Sequence, residues 1–208
     1  FYRPGGEILK DDEPGILRQE VSVEGEWKPE GALATAALPP ETIIGPSYAS
    51  RYTDLFDADA LRGLRIGVYE HSAVGRDILA DILTALGAEV ICLGRSERFI
   101  PVDTEAVRAE DMALARQWAA EFALDAIAST DGDSDRPLLA DHHGEWLRGD
   151  VLGVLCAQAI GAQTVVTPIS SNSVVEQCGA FSRVLRTRIG SPYVTARMNA
   201  ALAEGQGV

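Results

Sequence analysis

The sequence predicts an α/β protein: two three-layer α/β domains with mainly parallel mixed sheets, the second incomplete, preceded by an N-terminal remnant. Three observations carry this. Strand-like apolar runs alternate with helical stripes from residue 64 to residue 129, a rhythm that implies parallel strands joined by right-handed crossovers. The rhythm begins again near residue 150 and stops at Val208 before a sheet is complete. Before residue 47 it is missing, and Pro29, Pro39, Pro40 and Pro46 exclude a long regular element there. The expected boundaries are 1–46 for a remnant and connector, 47–149 for the first α/β domain, and 150–208 for the start of the second.

Taken in order, Phe1 to Ile8 reads as the tail of a strand and a turn. Tyr48, Tyr52, Leu55 and Phe56 recur at helical spacing, and Asp57 to Gly63 closes that element. Leu64 to Tyr69 is a buried strand. Ile78, Leu79, Ile82, Leu83 and Leu86 form a helical stripe that Gly87 ends. Glu89 to Leu93 is a second strand. Val107, Leu114, Ala115, Trp118 and Phe122 predict a helix broken near Glu110–Asp111, and Asp125 to Ser129 is the third strand. Leu138 to Asp141 returns as a strand. A helix comes next over Val151–Ile160, capped by Asp150, and Gly161 ends it. Thr164–Thr167 and Val184–Thr187 are further strands, with a short helix at Ser173–Cys178 and a last one at Pro192–Leu202.

The 208 residues are 46% hydrophobic and 24% charged, as in an ordinary soluble globular protein. No apolar run approaches the ~20 residues of a membrane helix, and no signal-peptide pattern is present. Net charge is −13, with a sequence pI of about 4.6. Such a surface repels a nucleic-acid backbone and an anionic membrane, so neither is an expected partner. An anionic substrate must then be met by local arginines or a metal ion. Cys92, Cys156 and Cys178 form no C-x-x-C pair; Cys92 and Cys156 sit in apolar stretches and read as core thiols, which fits a reducing cytoplasm. His71, His142 and His143 make no zinc spacing with them. The chain opens on Phe1 rather than Met, so it is expected to begin inside a longer or processed gene product.

The densest chemistry lies in Ser129-Thr130-Asp131-Gly132-Asp133-Ser134-Asp135-Arg136. Three carboxylates alternate, and an arginine comes immediately after them. On a flat strand alternate residues stand roughly 6.6 Å apart, too wide for ligands held at about 2.0–2.1 Å from Mg²⁺. The segment must therefore curl, and Gly132 and Ser134 are the small residues that permit it. Three curled carboxylates suit a hard cation, and the fork of Arg136 suits a phosphate or carboxylate beside it. A solvated acidic turn between two strands is the alternative reading. An EF-hand is excluded, because glycine is missing from the sixth loop position and glutamate from the twelfth. Glu70 to Gly75 carries one glycine where a dinucleotide loop needs three, and no G-x-S-x-G elbow exists. Ser170-Ser171-Asn172 reads as a plain turn or, less simply, a site lining.

Asp131-Gly132-Asp133-Ser134-Asp135-Arg136 resembles the D-G-D-x-D-R metal loop of the α-D-phosphohexomutases, the phosphomannomutases and phosphoglucomutases. Leu86 to Val90, Asp141 with Gly144, Leu147 to Asp150, and Val165 to Thr167 with Ser170-Ser171 are similar to segments of the same family. Thr187-Arg188-Ile189-Gly190-Ser191-Pro192-Tyr193-Val194 is similar to its T-x-V-G-x-x-Y-V loop. Phe1 to Glu13 is similar to the segment just after the family's serine loop.

The resemblance implies a phosphotransferase that interconverts the 1- and 6-phosphates of a hexose through a phosphoserine. It implies Mg²⁺ held by Asp131, Asp133 and Asp135, a phosphate or loop contact from Arg136, and a sugar-facing loop at Gly190 and Ser191. A phosphorylated hexose is the expected partner; oligomeric state and the identity of the hexose are not read from these residues. The family's T-A-S-H-N-P serine loop, its later sugar motif and its fourth domain have no counterpart in the sequence, so no catalytic nucleophile is assigned and the chain is expected to be inactive by itself. Arg183, Arg186 and Arg188 face either the cleft or solvent. The rival readings are a silent metal-binding module and, more weakly, a metal-dependent phosphatase.

Overall fold

Where the apolar alternation is clearest, between residues 65 and 130, strand and helix succeed each other as it requires. The computed structural model describes residues 2–3, 6–22, 24–32 and 40–205. A hairpin of β1 (Tyr2–Arg3) and β2 (Gly6–Glu7) precedes α1 (Glu13–Leu17). Then come α2 (Gly45–Thr53), β3 (Arg65–Tyr69), α3 (Arg76–Ala85), β4 (Glu89–Leu93), α4 (Ala109–Phe122), β5 (Ala126–Thr130) and β6 (Pro137–Ala140). After α5 (Gly149–Ala159) the chain forms β7 (Thr164–Pro168), α6 (Val174–Gln177), β8 (Arg183–Thr187) and α7 (Ser191–Ala203). Internal contacts divide it into two units, one of Ile43–Cys156 and one of Phe1–Thr42 with Ala157–Val208. Among the described residues no helix is long and apolar enough to cross a membrane.

In the first unit the sheet order is β4–β3–β5–β6. Strand β3 is parallel to both β4 and β5, and β6 runs antiparallel on β5. A central strand must be apolar on both faces, and β3 is: Ile66, Val68 and Tyr69 are buried. Tyr69 and Ile127 share a core with Leu93, Leu124 and Leu138, closed by Ala115 and Ala119 of α4. Those alanines lie four apart on one helix face and let the helix approach closely. Gly67 belongs to this face too, since a Cβ there would come 2.8 Å from Leu124 Cδ1. Ile66 and Val68 alternate to the opposite face, and α3 packs against β3, β4 and β5. Gly87 closes α3 as expected, with Ala88 N–H donating to the Leu83 carbonyl at 3.1 Å.

Three expectations fail. Helix α4 is unbroken at Glu110–Asp111. Asp111, only 1% exposed, is instead the anchor of its first turn. It accepts from Tyr69 Oη at 2.9 Å and from Arg108 Nε and Nη2 at 2.7 and 2.9 Å. A carboxylate beside a helix N-terminus with three donors is stable where an unpaired one is not. Helix α2 stops at Thr53, and Asp57 to Gly63 forms turns rather than the end of that helix. Cys92 and Cys156 are exposed, as is Cys178. Strand β4 is the sheet edge, and an apolar run there does not imply two covered faces.

The Tyr69–Asp111 pair makes a prediction. Burial, and then donation to Asp111, push the Tyr69 phenol up from 10.0 to about 12. The raised value favours the protonated form in the fold. This stabilisation is complete below pH 10 and is lost as pH rises from 10 to 12, at about 1.4 kcal/mol per unit. Ultraviolet titration should show a tyrosine phase near pH 12 that Tyr69→Phe removes. A Tyr69→Phe spectrum with that phase intact would refute the assignment.

In the second unit β7 and β8 pair in parallel, Thr164 opposite Arg183, and α7 packs on both. Ala201 of α7 and Thr164 of β7 are buried.

Candidate metal centre

The acidic segment is the reversal between β5 and β6. Thr130 pairs with Pro137, Asp131 N–H donates to the Arg136 carbonyl at 3.1 Å, and Ser134 N–H donates to the Asp131 carbonyl at 3.3 Å. The curl is thus a hairpin loop. Its left-handed residue is Ser134, with φ +65°, whereas Gly132 is not among the positive-φ residues. Gly132 matters for a different reason, because a Cβ there would stand 3.3 Å from Phe99 Cε2.

One oxygen from each of Asp131, Asp133 and Asp135 lies within 4.8 Å of the others. Around an octahedral Mg²⁺ opposite oxygens are about 4.2 Å apart and adjacent ones about 2.9 Å, so the three carboxylates are near one coordination sphere and would draw together to enter it. Their chemistry, all hard oxygen donors at a loop tip, fits such an ion. Asp131 is 4% exposed, while Asp133 and Asp135 are exposed.

Arg136 braces this loop. Its Nε donates to Asp131 Oδ2 at 2.8 Å and its backbone N–H to Oδ1 at 3.2 Å. The guanidinium also stands 3.4 Å from Asp135 and 3.8 Å from Glu105. Burial raises the Asp131 carboxyl, but the backbone and side chain of Arg136 together outweigh it and hold the group below the ordinary carboxylate value.

The loop sits where the carboxyl ends of the parallel strands open, as ligand loops of α/β sheets do. The segment after β3 supports it from beneath. His71 Nε2 lies 2.9 Å from the Thr130 carbonyl, Val74 N–H donates to the Gly132 carbonyl at 3.0 Å, and Gly75 N–H donates to Ser134 Oγ at 2.9 Å. A polar cleft of about 460 Å³ is lined by Ser72, Arg76 and Phe99 among others. An apolar groove of about 750 Å³ is lined by residues of α2 and α3 together with Asp133 and Asp135.

Gly190 and Ser191 lie in the second unit, at the turn from β8 into α7. Gly190 has φ +126°, a conformation that favours glycine. Arg188 stacks over Tyr193, 5.7 Å from the ring centroid. Arg186 is a structural staple. It forms two 2.7 Å bonds to Glu176 and donates to the carbonyls of Pro168 and Ser171, each at 2.9 Å. Its donors fix the Ser170–Asn172 turn, which is therefore held from within. Arg183 stands 3.9 Å from Glu204.

The sequence reading missed His71, Val74 and Gly75. It weighed Glu70 to Gly75 only as a failed dinucleotide loop. Their position at the carboxyl end of the middle strand was the available signal.

Residues 46–144 match the family model described as phosphoglucomutase/phosphomannomutase, alpha/beta/alpha domain II. The chain is 48% identical over 196 residues to a phosphomannomutase of Salmonella muenchen, covering 94% of this chain and 40% of that protein. It is 47% identical over 208 residues to a phosphomannomutase of Sinorhizobium fredii, covering 99% and 43%. A phosphoglucosamine mutase of Symbiobacterium thermophilum is 33% identical over 210 residues, covering 95% and 46%. The chain spans less than half the length of these relatives. A solved phosphoglucomutase/phosphomannomutase family protein from Burkholderia thailandensis shares the fold, with TM-score 0.62 at 18% identity over 76% of this chain and 36% of that one.

Proposed function

Because this chain belongs to the phosphoglucomutase/phosphomannomutase family, we propose that it carries the metal-binding part of a Mg²⁺-dependent phosphohexomutase. The observation that carries this is the hairpin loop on which Asp131, Asp133 and Asp135 bring oxygens within 4.8 Å of one another. Mg²⁺ bound there supplies charge neutralisation and orientation for a transferring phosphoryl group, which is most of what such transfer needs. Asp131, Asp133 and Asp135 hold the ion. Arg136, 56% exposed at its side chain, would exchange the 3.8 Å contact of Nη1 with Glu105 for a phosphate while Nε keeps Asp131 in place. Gly190 and Ser191 present backbone to the sugar. The relatives named phosphomannomutase make a mannose phosphate the first substrate to try. A reducing cytoplasm is the proposed compartment.

The phosphoryl donor implied by the family is a phosphoserine, and residues 1–208 contain no T-A-S-H-N-P sequence. Release of free phosphate from a hexose phosphate would favour the phosphatase reading instead. The direct test is a crystal soaked in millimolar Mn²⁺, which shares the oxygen preference of Mg²⁺. An anomalous peak between the three carboxylates, lost in Asp133→Asn, is expected. An ordered loop without a peak would refute the site.

A further inference from the structure

We propose that His71 is a positioning residue for the metal loop, the anchor of a template formed by residues 71–75; this rests on the metal reading of that loop. The contacts across the two segments alternate. The even positions of the hairpin are taken from below: Thr130 by His71, Gly132 by Val74 and Ser134 by Gly75. The odd positions, Asp131, Asp133 and Asp135, are the ones whose oxygens converge. Holding the loop at these three points confines the carboxylates beside them to the region where their oxygens converge.

His71 is the part of this template least replaceable by a backbone contact. A carbonyl oxygen only accepts, so Nε2 carries the hydrogen in the bond to Thr130. The side chain is wholly buried. Among the described residues its Nδ1 is the buried side-chain polar atom left without a partner. Its φ is +31°, an uncommon value for a residue with a side chain, tolerated better by His than by most. The residue is clamped as well, its carbonyl accepting from Ser96 N–H at 2.8 Å and from Arg76 Nη1 at 3.2 Å. An orphaned nitrogen in the core weakens the fold, and an apolar side chain of similar size would remove it. The bond from Nε2 and the orphaned Nδ1 therefore act on stability in opposite directions. Only the first bears on the metal loop, since the Thr130 carbonyl immediately precedes Asp131.

The template predicts a loss of metal affinity in the folded protein, separate from any loss of stability. His71→Leu frees the Thr130 carbonyl and sets a less tolerant residue at φ +31°, so its thermal midpoint should fall. The folded variant should bind Mn²⁺ about tenfold or more weakly, as loss of a ligand-orienting contact does. His71→Gln, which retains a donor, should recover part of the affinity. Mn²⁺ binding is tracked by electron paramagnetic resonance on the intact chain, with Asp133→Asn as the control for the site itself. A folded His71→Leu with wild-type Mn²⁺ affinity would overturn the inference and leave the metal site standing. No saturable Mn²⁺ binding by the wild type would overturn both. If His71→Leu does not fold, Ser134→Ala removes the Gly75 contact from the exposed side, and unchanged affinity there would equally overturn the template.

Discussion

Gly144→Ala is expected to lower the unfolding free energy by about 3–5 kcal/mol, the sum of backbone strain and overpacking. Gly144 is buried in the turn after β6, with φ +75°. A Cβ there would stand 2.5 Å from Ala115 C and O and from Arg116 N, all backbone of α4. No side chain can rotate out of its way. The turn is held against α4 by a two-bond pair between Arg116 and Glu145, at 2.6 and 3.1 Å, so it cannot lift without breaking that pair. Native domains are stable by only about 5–15 kcal/mol, and the loss is visible as a large fall in the urea midpoint with an unchanged slope. Gly153→Ala is the internal control. A Cβ at that helical position meets nothing within 4 Å, and the exchange should raise stability by about 0.5–1 kcal/mol. Equal effects from the two variants would refute the account.

Asp131→Asn should cost at least about a hundredfold in Mn²⁺ affinity, more than a second-layer contact is worth. Unlike Asp133, which is exposed, Asp131 is both a proposed ligand and the partner of Arg136. Its loss should also remove about 1–2 kcal/mol of metal-free stability, a charge-assisted bond discounted for the half-exposed guanidinium. Because Asp131 is held below the ordinary value of 3.8, that contribution is present at neutral pH and lost as pH falls below about 4. Asp131→Asn should therefore flatten the acid limb of the stability profile, while Asp133→Asn leaves it in place. Urea titrations between pH 3 and 7 check this. A wild-type acid limb in Asp131→Asn would show that the Arg136 contact contributes nothing.

The strands were the most legible part of the chain. Arg65–Tyr69, Glu89–Leu93 and Ala126–Thr130 are short apolar runs between turn residues, and packing left them no other role. Helix limits were less legible. Phe56 continues the periodicity of α2, yet the chain turns at Asp54 because tertiary contacts, not spacing, end a helix. The sequence placed a break near Glu110–Asp111, and only the structure supplies Tyr69 and Arg108 as the partners that let Asp111 stay buried in the first turn. Cys92 shows the reverse error, since an edge strand can be apolar in sequence and exposed in space. At the candidate site the three carboxylates that the structure draws together were evident from residues 131–136. Their support from His71 spans 59 positions of sequence, and no local pattern encodes such a contact.

The hairpin that carries the carboxylates has a consequence for the order of assembly. Thr130 and Pro137 are near neighbours in the chain, and hairpins of this kind close in about 1–10 μs. The brace from His71 waits for β3 to pair with β5, a long-range step with a larger loop-closure cost. Half of the cage is local and early, while the other half is distant and late. A cation that needs both halves would bind tightly only after the parallel core has formed, so its capture would report on the last stage of folding rather than drive the first.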